Sequence, residues 1–412
     1  MDGEHLWAVK SPLLRLFVFA AVVALECGCG RHVSEPLGHF VEPLDESVVA
    51  AAETSPYKQA AERLDDALGA KQALLTRTSY TPAQRAFLTR VSGTALEVIE
   101  AGSERAAFVP PGSRGQTEWR LMGRMLAWRL EGQCANQKWA DAISTELAMT
   151  KFGFGLTAGS PMDASLGLVI VDEGRKTLAP FREQLESAQL KRLAEGTKQI
   201  FVSRPKISDC FRIAERAMLQ SVQDIQDGYV ANDTTPVTKA FGSADKEAVA
   251  TIQKLHDESD DQRAEFFNGF AAEAKRSAAL LVQESELPAA QRDALVKSNP
   301  PPKGPWMRLA KRLFDVGRPV LSMNDATCAR TKLLILESEI QLSLKLSGST
   351  PADLSRFSRE LTLDPYSGMP FIYRTDGQDY KLYSVGEDLV DNDGDTDETF
   401  SSPDLVLETS SR

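Results

Sequence analysis

From residue 44 to about residue 348, apolar side chains return every three or four positions, and a chain with that period folds as helices. Trp119, Met122, Leu126 and Leu130 step by 3, 4 and 4. Trp139, Ile143 and Leu147 step by 4. Phe211, Ala214, Met218, Val222 and Ile225 step by 3, 4, 4 and 3, and Leu333, Leu336, Ile340 and Leu344 by 3, 4 and 4. Each set lines one stripe of an amphipathic helix. Alanine, leucine, glutamate, lysine and arginine fill the remainder, and all are good helix formers. The pattern predicts about ten helices in a hairpin or solenoid-like body, with a small β-hairpin after residue 363.

Breakers set the expected boundaries. Residues 109–115 and 153–161 read as loops, and residues 229–236 carry turn residues. Pro300, Pro301, Pro302 and Pro305 cannot lie in a helix interior. Pro82 after Thr81 marks a helix start, and Pro351 after Thr350 reads the same way. Trp119-x-x-Met122-Gly123 resembles the opening of a tetratricopeptide repeat, but no 34-residue period follows, so residues 119–148 read as an ordinary helical hairpin.

Residues 13–25 are apolar except for Arg15. That is short of the ~20 residues a membrane-spanning helix needs, and it matches the core of a signal peptide. Asp2 and Glu4 make a poor leader, and translation from Val9 fits better. The run ends in Glu26-Cys27-Gly28-Cys29-Gly30, which resembles the lipobox of bacterial lipoproteins with Cys29 as the acylated residue. Glu26 and Cys27 depart from that pattern. Cleavage after Gly30 and an uncleaved anchor are the alternatives. All three expect an exported protein, periplasmic or membrane-anchored through its N-terminus, or secreted. The expected division is residues 1–30 signal peptide, 31–43 tether, 44–298 helical body, 299–305 proline-rich linker, 306–363 further helices and 364–412 terminal module.

A net charge of −11 argues against a nucleic-acid partner, which would need a basic face. Beyond the signal region only Cys134, Cys210 and Cys328 remain, too far apart for a C-x-x-C motif; they read as small buried side chains. His5, His32 and His39 lie near the N-terminus, leaving His256 alone in the body. Neither H-E-x-x-H nor G-x-S-x-G occurs. Gly153, Gly155 and Gly159 lack the lysine and spacing of a phosphate loop. Trp119, Trp128, Trp139 and Trp306 read as packing anchors. No catalytic residue can be named. Two classes remain: a non-catalytic protein binding an envelope protein or cell-surface polymer, and an enzyme using paired carboxylates in a groove. The first requires a folded C-terminal module and no buried acid–base constellation in the body.

The terminal segment is the most distinctive. Residues 371–374 and 380–384 are rich in β-formers and flank Asp376-Gly377, a hairpin-turn signal; residues 403–408 suggest a third short strand. Residues 376–398 hold nine acidic side chains and one lysine, a net −8 that leaves −3 for the rest of the chain. Asp391, Asp393, Asp395, Asp397, Glu398 and Asp404 are candidate ligands for Ca²⁺, which takes six to eight oxygens. Gly394 is fourth from Asp391, which is not EF-hand spacing. A solvated acidic loop is the alternative.

The ordered series Asp364-Pro365-Tyr366-Ser367-Gly368-Met369-Pro370, Tyr373-Arg374, Tyr383-Ser384-Val385-Gly386, the acidic loop and Asp404-Leu405-Val406-Leu407 resembles the C-terminal end of type II secretion major pseudopilins. It is more similar still to a group of secreted or lipid-anchored helical proteins of planctomycete-type bacteria. The resemblance implies a calcium loop and a preceding helix packed on the hairpin, and admits an accessory role in a secretion or pilus machine. The long helical body and the lack of a prepilin-type cleavage site argue against polymerisation into a pseudopilus.

Overall fold

The structure is a computed structural model, described over residues 39–41, 55–101, 115–243, 245–314, 317–395 and 404–407. It is mainly helical with a small three-stranded antiparallel sheet near the C-terminus. The helices are α1 (Pro56–Leu68), α2 (Pro82–Val91), α3 (Gly93–Ala101), α4 (Gln116–Ala135), α5 (Trp139–Leu156), α6 (Pro161–Leu178), α7 (Ser187–Ser203), α8 (Ile207–Val230), α9 (Thr235–Phe241), α10 (Lys246–Lys254), α11 (Asp260–Ser285), α12 (Ala289–Ser298), α13 (Met307–Phe314), α14 (Gly317–Ser347) and the single turn α15 (Arg359–Thr362). The strands are β1 (Ile372–Thr375), β2 (Tyr380–Ser384) and β3 (Leu405–Val406), in that order across the sheet.

One start follows its sequence signal closely, and a second forms within the stretch read as a loop. Thr81 caps α2, its Oγ1 accepting from the Gln84 amide while Gln84 Oε1 accepts from the Thr81 amide. Ser160 and Asp163 repeat this at α6. Such a cap contributes about 1 kcal/mol.

The chain packs as two compact units. Among the described residues, the first comprises 39–41, 212–243, 245–279 and 300–314, and the second 55–101, 115–211, 280–299, 317–395 and 404–407. In the first, Met218, Val222 and Ile225 of α8 meet Phe266, Phe267 and Phe270 of α11 and Leu309 and Phe314 of α13. Part of the expected tether belongs here: Phe40 and Val41 pack on this core, and the Phe40 amide donates to Gln223 Oε1 at 2.9 Å. In the second unit, Trp119, Met122, Leu126 and Leu130 of α4 are buried with Ile143 of α5 and Leu333, Leu336 and Ile340 of α14.

Besides the partly packed tether, several expectations fail, the count of about ten helices among them, since the described residues form fifteen. The glycine run at 153–161 is not a loop throughout, because α5 continues to Leu156. Gly153 and Gly167 face each other: a Cβ on either would collide with the other's carbonyl oxygen, so the pair permits α5 and α6 to approach closely. Residues 349–353 start no helix. The Thr350 amide donates to the Gly377 carbonyl and the Pro351 carbonyl accepts from the Tyr373 hydroxyl at 2.7 Å, so this segment lies along the hairpin.

Candidate functional site

The described part of the terminal module, residues 364–395 and 404–407, is folded and docked within the second unit. Asp364, buried, is the hub of the Asp-Pro-Tyr-Ser-Gly stretch. Its carboxylate accepts from the Tyr366 amide at 3.0 Å and the Val385 amide at 3.3 Å, joining the loop to β2. The Pro365 and Tyr366 carbonyls accept from the Ala289 and Ala290 amides, satisfying otherwise orphan donors at the start of α12. Lys332 of α14 donates to the Leu363 carbonyl at 2.8 Å. β2 and β3 pack against α14, as expected for the preceding helix.

The hairpin carries the acidic loop over its face. The Tyr383 hydroxyl donates to Asp391 Oδ1 at 2.8 Å, and the Asp393 amide donates to the same oxygen at 3.0 Å. Arg374 of β1 pairs with Asp391 Oδ2 at 2.9 Å and with Asp393; Lys381 of β2 pairs with Asp393 Oδ2 at 3.0 Å. These partners hold both carboxyls below the usual carboxylate range, Asp391 chiefly through Tyr383 and Asp393 chiefly through Lys381. Gly394, at φ +79°, closes the turn above the Tyr383 ring, which a Cβ would meet at 3.3 Å.

Asp404 sits beneath this turn, 2% exposed. Its Oδ2 accepts from the Asn392 and Gly394 amides at 2.9 and 2.7 Å, while its Oδ1 is buried with no hydrogen-bond partner. Burial pushes its carboxyl up, opposed by those two amides and reinforced by Asp391 and Asp388. A buried, half-satisfied carboxylate with Asp391 and Asp388 nearby is a type of group that suits a hard cation. Among the described residues no three acidic, histidine or cysteine side chains already converge on one metal position. Asp391, Asp393, Asp395 and Asp404 belong to this module, whereas Asp397, Glu398 and Cys29 lie outside the described residues.

The body holds a buried acid–base cluster that the periodic pattern did not announce. Glu146 of α5 is 1% exposed. Its Oε1 accepts from Thr150 Oγ1 at 3.3 Å and its Oε2 has no partner, in space left by Gly174. Burial pushes its carboxyl up to about 7, against the pull of Arg175. Arg175 Nη2 lies 3.2 Å from Asp172, which Arg330 approaches at 3.6 Å; Arg182 lies 3.6 Å from Glu337. Acids and bases from α5, α6, the turn Ala179–Gln184 and α14 thus meet, with Glu146, Arg175 and Arg182 buried and Asp172, Arg330 and Glu337 partly exposed. Carboxylates sit on many helices of this chain, and one sequence cannot pair charges across space.

Two clefts open on the surface. One, of about 420 Å³, is lined by Glu100, Arg129, Asp141, Ser144, Lys151 and Arg192, with Glu100 paired to Arg129. The other, of about 430 Å³, lies in the first unit among Asp224, Asp227, Asp233 and Lys239. Glu146 lines neither. His256 stacks on Tyr229 at 4.4 Å. Cys134, Cys210 and Cys328 are buried free thiols, and Trp119 and Trp306 are buried anchors. Among the described residues no helix is long and apolar enough to cross a membrane. Compared with known protein families, curated proteins and solved structures, the chain matches none.

Proposed function

We propose that this chain is an exported, envelope-associated, non-catalytic helical protein with a binding or scaffold role. Lipid on Cys29 holds it at the membrane, the body meets an envelope protein or cell-surface polymer, and calcium orders the terminal module. The observation that carries this reading is Asp404: a carboxylate 2% exposed, with one oxygen unpartnered, beneath Asp391 and Asp393. Asp391, Asp393, Asp395, Asp397, Glu398 and Asp404 would hold the ion, which supplies the positive charge that crowded carboxylates need. Mass spectrometry of membrane-fraction protein tests the anchor. The expected N-terminal peptide begins at a lipid-modified Cys29 and disappears, with membrane association, in Cys29→Ser. A peptide retaining residues 1–8, or one beginning at Arg31, would overturn the lipid.

A second reading, an enzyme working through paired carboxylates, is favoured by Glu146, whose carboxyl sits at about 7 beside Arg175. That value suits general acid–base chemistry. The cluster breaks the sequence-based condition for the non-catalytic reading, that the body hold no buried acid–base constellation. What still supports that reading is that Glu146 is 1% exposed and lines neither cleft, whereas a general acid must come within hydrogen-bond reach of its substrate.

A further inference from the structure

The hairpin sets two like charges opposite each other. Arg374 and Lys381 are Cα partners in the β1–β2 register, so both side chains leave the same face. Like charges directly opposite on a sheet destabilise it. Here the acidic loop bridges them: Asp393 pairs with both, its carbonyl also accepts from Lys381 Nζ at 3.0 Å, and Arg374 reaches on to Asp391. Asp391 and Asp393 therefore have their charge met by the protein's own cations. Asp404 does not: its Oδ1 stays buried and unpartnered under the same turn.

We propose that Arg374 and Lys381 are the internal counter-ions of the acidic loop, and that they set its affinity for a divalent cation by competing for the Asp391 and Asp393 carboxylates. This rests on the calcium reading above. The side chains of Arg374 and Lys381 are about half exposed, at 52% and 55%, so their pairs are solvent-screened and individually weak. A doubly charged ion can displace them while also gaining Asp404, which no basic side chain reaches among the described residues. Displacement leaves two positive side chains facing each other beside a dication, a repulsion that subtracts from binding. Replacing them with neutral side chains removes that repulsion and frees the carboxylates. Because these charges are exposed, the effect fades with ionic strength as the Debye length falls from ~10 Å at 0.1 M to ~3 Å at 1 M.

Calorimetric titration of the full chain with CaCl₂, in low and high salt, tests this with wild type, Arg374→Gln, Lys381→Gln and the double variant. Both positions are exposed, so these substitutions leave the fold in place. The double variant is expected to bind calcium about tenfold more tightly than wild type at low salt, with a smaller gap at 1 M salt. In chelator it should melt below wild type, and saturating calcium should close or reverse that difference. A merely structural role for the two side chains predicts a lower melting temperature in both conditions with no gain in affinity. Binding by wild type with equal or weaker binding by the double variant overturns the counter-ion role and leaves calcium standing. No binding by any form overturns the calcium reading and this inference with it.

Discussion

Glu146 and Asp391 are both carboxylates of the second unit, yet their surroundings push them in opposite directions. Glu146 is enclosed by packed helices, and desolvation outweighs the nearby Arg175, so its proton is held up to about 7. Asp391 lies on an exposed turn where Tyr383, a backbone amide and Arg374 favour the ionised form. Glu337, Asp163, Glu173 and Asp325 follow Glu146, raised chiefly by burial, while Asp393 follows Asp391. Having many acids therefore does not make a region a cation site. The loop differs in holding Asp391 and Asp393 exposed and ionised, with only Asp404 beneath them raised by burial. In the body, the acids and bases compensate one another and specify how α5, α6 and α14 meet.

The contrast is open to direct attack. Arg175→Met should show the largest effect. It removes the base between Asp172 and Glu146 and should cost about 3–5 kcal/mol at pH 8, less at pH 5 where Glu146 is protonated; denaturant melts at both pH values check it. Next comes the pH profile. The folded chain keeps the Glu146 proton between its ordinary 4.5 and about 7, where the unfolded chain has lost it. Its contribution is full below 4.5 and falls as pH rises through that window, by at most about 3 kcal/mol. Glu146→Gln should flatten this slope in a denaturation series from pH 4 to 8. Asp391 and Asp393 have the opposite sign: their stabilisation is present above the ordinary 3.8 and lost as pH falls through their lower folded values. Least of all, Arg374→Gln alone should move the melting temperature by about 1 °C or less at physiological salt. A larger loss there would mean that the surface pairs, rather than the Asp364 hub, hold the module in place.

Much of this architecture is legible in the residues. The stripe Trp119, Met122, Leu126 and Leu130 is wholly buried because a 3.6-residue period maps directly onto one helix face. β-rich runs around Asp376-Gly377 mark the hairpin, since turn chemistry is local. What stays hidden is non-local. Gly153 looks like a loop residue until α6 brings Gly167 against it. Pro351 looks like a helix start until the hairpin captures its carbonyl. The first unit joins residues 212–243 and 245–279 to 300–314 across an excursion into the second, which no linear composition shift displays. At the candidate site the acidic loop is plain from charge density. Arg374 and Lys381 become its partners only once the register sets them on one face, and Asp404 becomes its floor only when β3 pairs with β2.

Thermal melting of the full chain with millimolar calcium and with chelator, for wild type and Asp404→Asn, tests the central claim most directly. The account predicts that calcium raises the wild-type transition by a few degrees and that the substitution abolishes the shift while leaving the helical signal intact. Superimposable wild-type curves in calcium and chelator would contradict it.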